Sequence, residues 1–394
     1  MAHLTDLLRR RYVPRVLVTV LLGRLPEGMV PLGIVLLVRD GDGSFGLAGL
    51  LAAFLAVGAA VGGPPLGRLI DHRGQPVVVV GCGVVRGAAL VGLTLTAPDA
   101  PVVAGLCALV CGLATPPLEP AQRALWPGLT RDEAQVETAY RLDAGLQEIV
   151  FVVGPLVLTA LVAAADPALA LQLVAVGGAL AAVAFASSPP ARAWRSPPRP
   201  DPAWTAAVRA PGIPPLLAIA VLVGAVIGSL NVAAPAVAET RDIAAGWPLG
   251  IFAFGALVGG LVSASRQPVR PPEATLPWLL TGMGLAFVPP LLDPPLGVTL
   301  LCLAAGGALM APSLGGAFIV VGRRALRGSA AETFAWLTSA VLTGLASGSA
   351  LAGPLADASE SGTAGFLVAV AAGLLGAVVW RAAGGRTPEP APVP

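Results

Sequence analysis

The residues of this chain that could do chemistry are charges set inside apolar stretches. Arg15 to Val38 is apolar except at Arg24-Leu25-Pro26-Glu27. About 20 apolar residues cross a bilayer core, and an Arg or Glu at its centre costs roughly 2.5–3.5 kcal/mol on insertion scales. Both side chains should therefore face protein or a wet cavity. On a helix, residues three apart share a side and can neutralise one another, while Pro26 removes a backbone donor and favours a kink. The pair is either a structural ion pair that shapes the segment or a site that carries charge. Further charges inside apolar runs are Arg86, Glu119 with Arg123 at (i, i+4), Arg141, Asp143 and Glu148; with Arg24 and Glu27 they make four basic and four acidic groups, all in the first half. A desolvated carboxylate can serve as a reversible proton carrier. Glu27, then Glu148, are the first candidates, with Arg24 as counter-charge. Asn231, Ser313, Thr338, Ser339 and Thr343 are the polar groups of the second half's apolar runs, and Asn231 is the cavity candidate among them. Glu119, Arg123, Arg141 and Asp143 suit a gate nearer the cytoplasmic ends.

The elements that position these residues must be membrane helices. The chain has 394 residues, 56% hydrophobic and 12% charged, with mean hydropathy +0.82, against about 25% charged in soluble domains. A net charge of +2 with scattered Arg argues against a nucleic-acid partner. There is no Lys at all, which excludes a Walker A ATPase and a retinal Schiff base. Cys82, Cys107, Cys111 and Cys302 lie within apolar runs and read as packing residues. With only His3 and His72, no histidine metal cluster is expected, and no nucleophile elbow appears, so neither an enzyme nor a cofactor is indicated.

Hydropathy predicts twelve spans, near 15–38, 46–69, 76–97, 101–125, 138–164, 167–187, 213–237, 244–265, 275–293, 295–322, 331–356 and 361–381. Residues 1–14 read as an amphipathic helix on an anionic cytoplasmic surface, attached to the mature chain. Arg clusters at 9–11, 68–73, 131, 192–209, 266–270, 323–327 and 381–386 place those loops and both termini in the cytoplasm. Residues 189–212, rich in Pro and Arg, read as a semi-rigid cytoplasmic linker between bundles at 15–188 and 213–381, and 382–394 as a disordered tail. Gly58-Ala-Ala-Val-Gly-Gly63 recurs as Gly255-Ala-Leu-Val-Gly-Gly260, an offset of 255 − 58 = 197. Cys107, Gly112, Pro117, Glu137 and Thr138 recur as Cys302, Gly307, Pro312, Glu332 and Thr333, an offset of 302 − 107 = 195. Two agreeing shifts indicate a duplication of six spans. The small residues have a packing cause, close backbone approach between helices.

Between spans two and three stands Gly67-Arg-Leu-Ile-Asp71-His-Arg73-Gly74-Gln-Pro. With twelve spans, duplicated halves and a long middle loop, it resembles the signature loop of the major facilitator superfamily: Gly67, Leu69, Asp71 and Gly74 match, while His72, Gln75 and Pro76 depart. In span five, Gly145 and Gly154-Pro155 resemble part of the Gly-Pro motif of the superfamily's exporters, although Leu158 and Thr159 stand where the terminal glycines would be. The resemblance implies an all-α membrane protein of two six-helix bundles related by pseudo-two-fold symmetry. It implies alternating access, with Gly67, Asp71, Arg73 and Gly74 in a gate and Pro26, Gly154 and Pro155 as helix-bending points. The expected activity is proton-coupled efflux, by antiport, of small hydrophobic or amphipathic molecules across the plasma (cell inner) membrane. The alternatives are proton-coupled uptake of a metabolite and a transport-dead sensor or scaffold. The expected partners are a small-molecule substrate and the lipid bilayer, with a proton gradient in place of a cofactor and the chain a monomer.

Overall fold

A computed structural model describes residues 2–97, 99–198, 203, 206–243, 246–266, 270–359 and 361–384. Among them there is no strand, and twelve helices are long and apolar enough to cross a membrane. The first six are α1 (Val13–Asp40), α2 (Leu47–Arg73), α3 (Gln75–Thr96), α4 (Pro101–Leu129), α5 (Glu133–Ala164) and α6 (Pro167–Ala186). The second six are α7 (Ile213–Glu239), α8 (Trp247–Ser265), α9 (Pro272–Leu292), α10 (Leu296–Arg324), α11 (Ala330–Ala356) and α12 (Thr363–Ala383). The expected all-helical membrane fold is borne out.

Starts and breaks follow local chemistry. The Asp132 carboxylate accepts the Gln135 N–H at 2.8 Å, so α5 begins at Glu133 and not at 138. Within α4, Ala114–Pro117 separates helix Pro101–Leu113 from Leu118–Leu129, because Pro116 and Pro117 lack donors. That break leaves Glu119 in the first turn of the second segment, where the helix dipole favours a carboxylate.

The chain divides into two units, 1–200 with 327–339, and 201–326 with 340–394. The first three turns of α11 thus group with the first unit, whereas the sequence places all of 213–381 in the second bundle. Of the expected tail, 385–394 lie outside the described residues, as do 199–202, 204 and 205 of the linker.

Each unit uses the same helix contacts, made by glycines. In the first, Gly58 meets the α4 backbone at Leu109 and Gly112, and Gly112 meets α2 at Leu55 and Ala59. In the second, Gly255 meets α10 at Ala304, and Gly307 meets α8 at Phe252 and Ala256. Gly28 abuts Val150 on α5, as Gly224 abuts Val341 on α11; the offsets are 224 − 28 = 196 and 341 − 150 = 191. Lipid supplies no hydrophobic force between apolar helices, so close van der Waals contact holds them together. The recurrent glycines are therefore packing residues.

Two apolar clusters fill the first unit. One takes Val30, Ile34 and Leu37 of α1 with Leu90 and Leu93 of α3 and Leu171 of α6; the other takes Val16 and Val20 with Val78 and Val79, Leu118 and Phe185. Arg24 on α1 and Arg86 on α3 fall between these groups along their helices, while Glu119 and Arg123 on α4 alternate with Leu118, Ala121 and Leu125 of the second cluster. The amino-terminal helix, Ala2–Leu8, packs on α5 with Leu7 fully buried, and the Gln135 side-chain amide donates to Asp6 at 2.6 Å. Leu7 is thus covered by protein, while Leu8 on the same helix stays exposed.

Candidate functional site

The charged side chains of the first unit form a ladder of alternating sign. Arg24 Nε lies 3.4 Å from a Glu27 carboxylate oxygen, and an Arg24 Nη pairs closely with Glu119 from α4. Glu119 lies 3.5 Å from Arg123, one helical turn on, and Arg123 Nε donates to Asp143 of α5 at 2.7 Å. The Gln122 amide donates to the other Asp143 oxygen at 3.0 Å, and the Tyr140 hydroxyl to the Arg123 carbonyl at 3.3 Å. Arg24, Glu119, Arg123 and Asp143 are all buried, whereas the Glu27 side chain keeps a quarter of its surface, 25%. Pairing is what makes such burial tolerable: removing one partner of a buried pair costs about 3–5 kcal/mol.

Arg86 and Glu148 complete the set. Arg86 is buried and lies within electrostatic reach of Glu27. It lines a small crevice with Gly23, Pro26, Gly87, Pro116 and Gly178. Glu148 on α5 makes no ion pair or hydrogen bond among the described residues and interacts with Arg24 at longer range. Arg141 stands apart, bonded to Glu137 at 2.7 Å. Arg24, Arg86 and Arg123 thus set three guanidiniums against four carboxylates, Glu27, Glu119, Asp143 and Glu148: an excess of one negative charge when all are ionised.

The start of α11 docks on this ladder within the first unit. The Thr338 hydroxyl donates to Glu119 at 3.1 Å, and the Arg123 guanidinium lies 5.8 Å over the Phe334 ring. Further along, Asp71 at the end of α2 accepts the first-turn N–H groups of Ala331 and Glu332 at 3.3 and 2.9 Å. These amides have no partner within their own helix, so a carboxylate there supplies both hydrogen bonds and a favourable dipole interaction. Gly67 is what permits the approach: a Cβ on it would lie 2.7 Å from the Ala331 carbonyl and from Ala335 Cβ. Gly74, at φ +85, closes α2 in a conformation that costs only glycine nothing.

Several sequence-based assignments are redrawn. Glu119 joins Arg24 to Arg123, so the proton pair and the gate pair assigned from sequence are one network. Asp143 belongs to it, while Arg141 is paired to Glu137, which stands out in the sequence only as part of the repeat. Arg73 is exposed, and no carboxylate among the described residues pairs with it. Asn231 is exposed on α7 in the second unit. Gly154 packs against Gly28, with Cα 3.2 Å from where its Cβ would stand, and α1 and α5 run unbroken through Pro26 and Pro155. Gln122, Glu137, Phe334 and Ser196 are not singled out as site residues by the sequence, and Thr338 stands there only as a polar group of the second half; polar or aromatic residues at helical spacing in apolar runs carry no signal of which distant carboxylate they reach.

An all-helical protein with twelve spans, built twice on one contact scheme and charged through the interior of one unit, is a membrane transporter in architecture. Residues 16–267, more than half the chain, match the model of the Major Facilitator Superfamily, and the chain belongs to that family. Solved structures agree on the fold. A bacterial homologue of the iron transporter ferroportin, in an outward-facing state, is 16% identical with a TM-score of 0.75, covering 95% of this chain and 99% of that one. The human organic anion transporter MFSD10 (TETRAN) is 15% identical with a TM-score of 0.69, covering 93% and 99%. The proton:xylose symporter XylE, bound to 6-bromo-6-deoxy-D-glucose, is 13% identical with a TM-score of 0.71, covering 93% and 94%. No curated relative matches in sequence. The family makes this chain a transporter and not an enzyme.

Proposed function

We propose that the protein is a proton-coupled antiporter that exports small hydrophobic or amphipathic molecules across the plasma membrane, with both termini in the cytoplasm. The observation that carries this reading is the charge excess of the ladder taken together with Arg86 and Glu148. Four carboxylates gathered with three guanidiniums, Glu27 and Glu148 part-exposed and the rest buried, lower their electrostatic energy by taking up one cation, and a proton is the one cation that needs no coordination shell. Glu148, free of any ion pair among the described residues, is the best carrier. Glu27, beside Arg24, is the second. This reverses the order suggested by sequence.

Export is supported by the Gly154-Pro155 step of α5 and by the scarcity of polar groups in the second unit, where Ser229, Thr299, Ser313 and Thr363 are the buried polar residues described. Uptake is the second reading, since the similar XylE is a proton:xylose symporter. Proteoliposomes separate the two. A panel of neutral and cationic lipophilic fluorescent dyes, with xylose as a polar control, is presented under an imposed pH gradient. Antiport moves dye and protons in opposite directions; movement in the same direction establishes symport. Flux of dye indifferent to the gradient removes proton coupling, and no flux of any compound favours a sensor or scaffold.

A further inference from the structure

The residues after α6 are more than a spacer. Ser188 and Ala191 are fully buried, and Ala191 shares a core cluster with Ala331 of α11. Trp194 packs on that cluster and its indole N–H donates to the Ala124 carbonyl of α4 at 3.1 Å. The segment is thereby strapped to the first unit as far as Ser196, whose hydroxyl donates to Asp71 Oδ1 at 3.3 Å. That is the oxygen that also accepts the Ala331 N–H, while Glu332 N–H goes to Oδ2. Asp71 therefore has two donors from α11 and a third from the strap.

We infer that Ser196 is a positioning residue of the contact between Asp71 and α11, the donor that stays with the carboxylate when the first turn of α11 leaves it. Any release of α11 removes two hydrogen bonds from a part-buried carboxylate. A hydroxyl held by Trp194 and Ala191 remains, keeps the carboxylate satisfied and keeps its rotamer ready for α11 to return. Its contribution differs between the two situations because a donor counts for more on an anion with few donors than on one with three. Ser196 thus favours release, and its loss favours the docked form. The inference rests on the transporter reading only in taking α11 to leave Asp71 during the cycle. It is independent of proton coupling.

The amides of Ala331 and Glu332 report the contact directly, since within the helix they have no acceptor and Asp71 is what protects them. Hydrogen–deuterium exchange on the full chain in lipid nanodiscs compares wild type with Ser196→Ala and Ser196→Thr. Ser196→Ala is expected to slow exchange at 331 and 332 by about 5-fold, with the remainder of α11 and residues 188–194 unchanged, and Ser196→Thr to restore the wild-type rate. In an Asp71→Asn background Ser196→Ala is expected to change nothing. Equal or faster exchange at 331 and 332 in Ser196→Ala, or faster exchange across the strap, overturns the inference. Should Ser196→Ala fail to fold, Ser196→Cys, a weaker donor of similar size, gives the same test: slower exchange supports, unchanged or faster exchange overturns.

Discussion

Glu119 is the residue on which the buried charges converge, taking Arg24 from α1, Arg123 from its own helix and Thr338 from α11. Removing Arg24 leaves a buried carboxylate short of a partner. Arg24→Ala is expected to cost about 3–5 kcal/mol of stability, read as a lowered unfolding midpoint in detergent. Arg24→Lys should recover only part of it, because one ammonium cannot serve Glu27 and Glu119 as a planar fork does. Thr338→Val removes one neutral donor and should cost about 1 kcal/mol. The charged members were legible in the sequence, since an Arg or Glu inside an apolar run is costly unless it is paired or functional. Their connectivity was not. Which guanidinium meets which carboxylate depends on the rotation and depth of α1, α4 and α5, and Glu119 looked like a partner of Arg123 alone because (i, i+4) spacing is visible and contacts between helices are not.

At the scale of the element, the small-residue faces decide how near helices come. A Cβ on Gly112 would lie 2.8 Å from Ala59 N and inside the Leu55 carbonyl, while one on Gly49 meets nothing within 4 Å. Gly112→Val is therefore expected to abolish well-folded, monodisperse protein, and Gly49→Val to leave the elution profile and unfolding midpoint unchanged. The repeated glycines read correctly as packing residues, since the 195–197 offsets place them on the same helix pairs in both units. The linker read less well. Pro and Arg mark a segment that cannot continue a helix, but they do not reveal that Ala191 and Trp194 dock on a core cluster. The contact of the α2 end with α11 was legible through Gly67, Asp71 and Gly74. Asp71→Asn keeps the shape and loses the charge, so exchange at the amides of Ala331 and Glu332 should rise by about 10-fold as a charge-assisted contact becomes a neutral one.

Across the whole molecule, one contact scheme is used twice, and among the described residues the buried charged side chains all belong to the first unit. Among the described residues of the second unit, ion pairs such as Arg323 with Glu273 and Arg241 with Asp293 involve the ends of spans and part-exposed side chains, while its buried polar groups are hydroxyls. Duplication accounts for the shared packing, and divergence of the interior for the asymmetry. The twelve spans and the duplication were visible because hydropathy and glycine spacing are local; the grouping of the α11 start with the first unit was not, because it depends on tertiary contacts of Gly63, Gly67 and Asp71.

Glu148, outside the ladder's ion pairs but within electrostatic reach of Arg24, is proposed as the carrier of the coupled proton. Glu148→Gln proteoliposomes test it when assayed in two modes, dye counterflow without a gradient and dye accumulation driven by a pH gradient. The expected result is counterflow at the wild-type rate with gradient-driven accumulation lost. Wild-type accumulation in the variant would contradict the assignment.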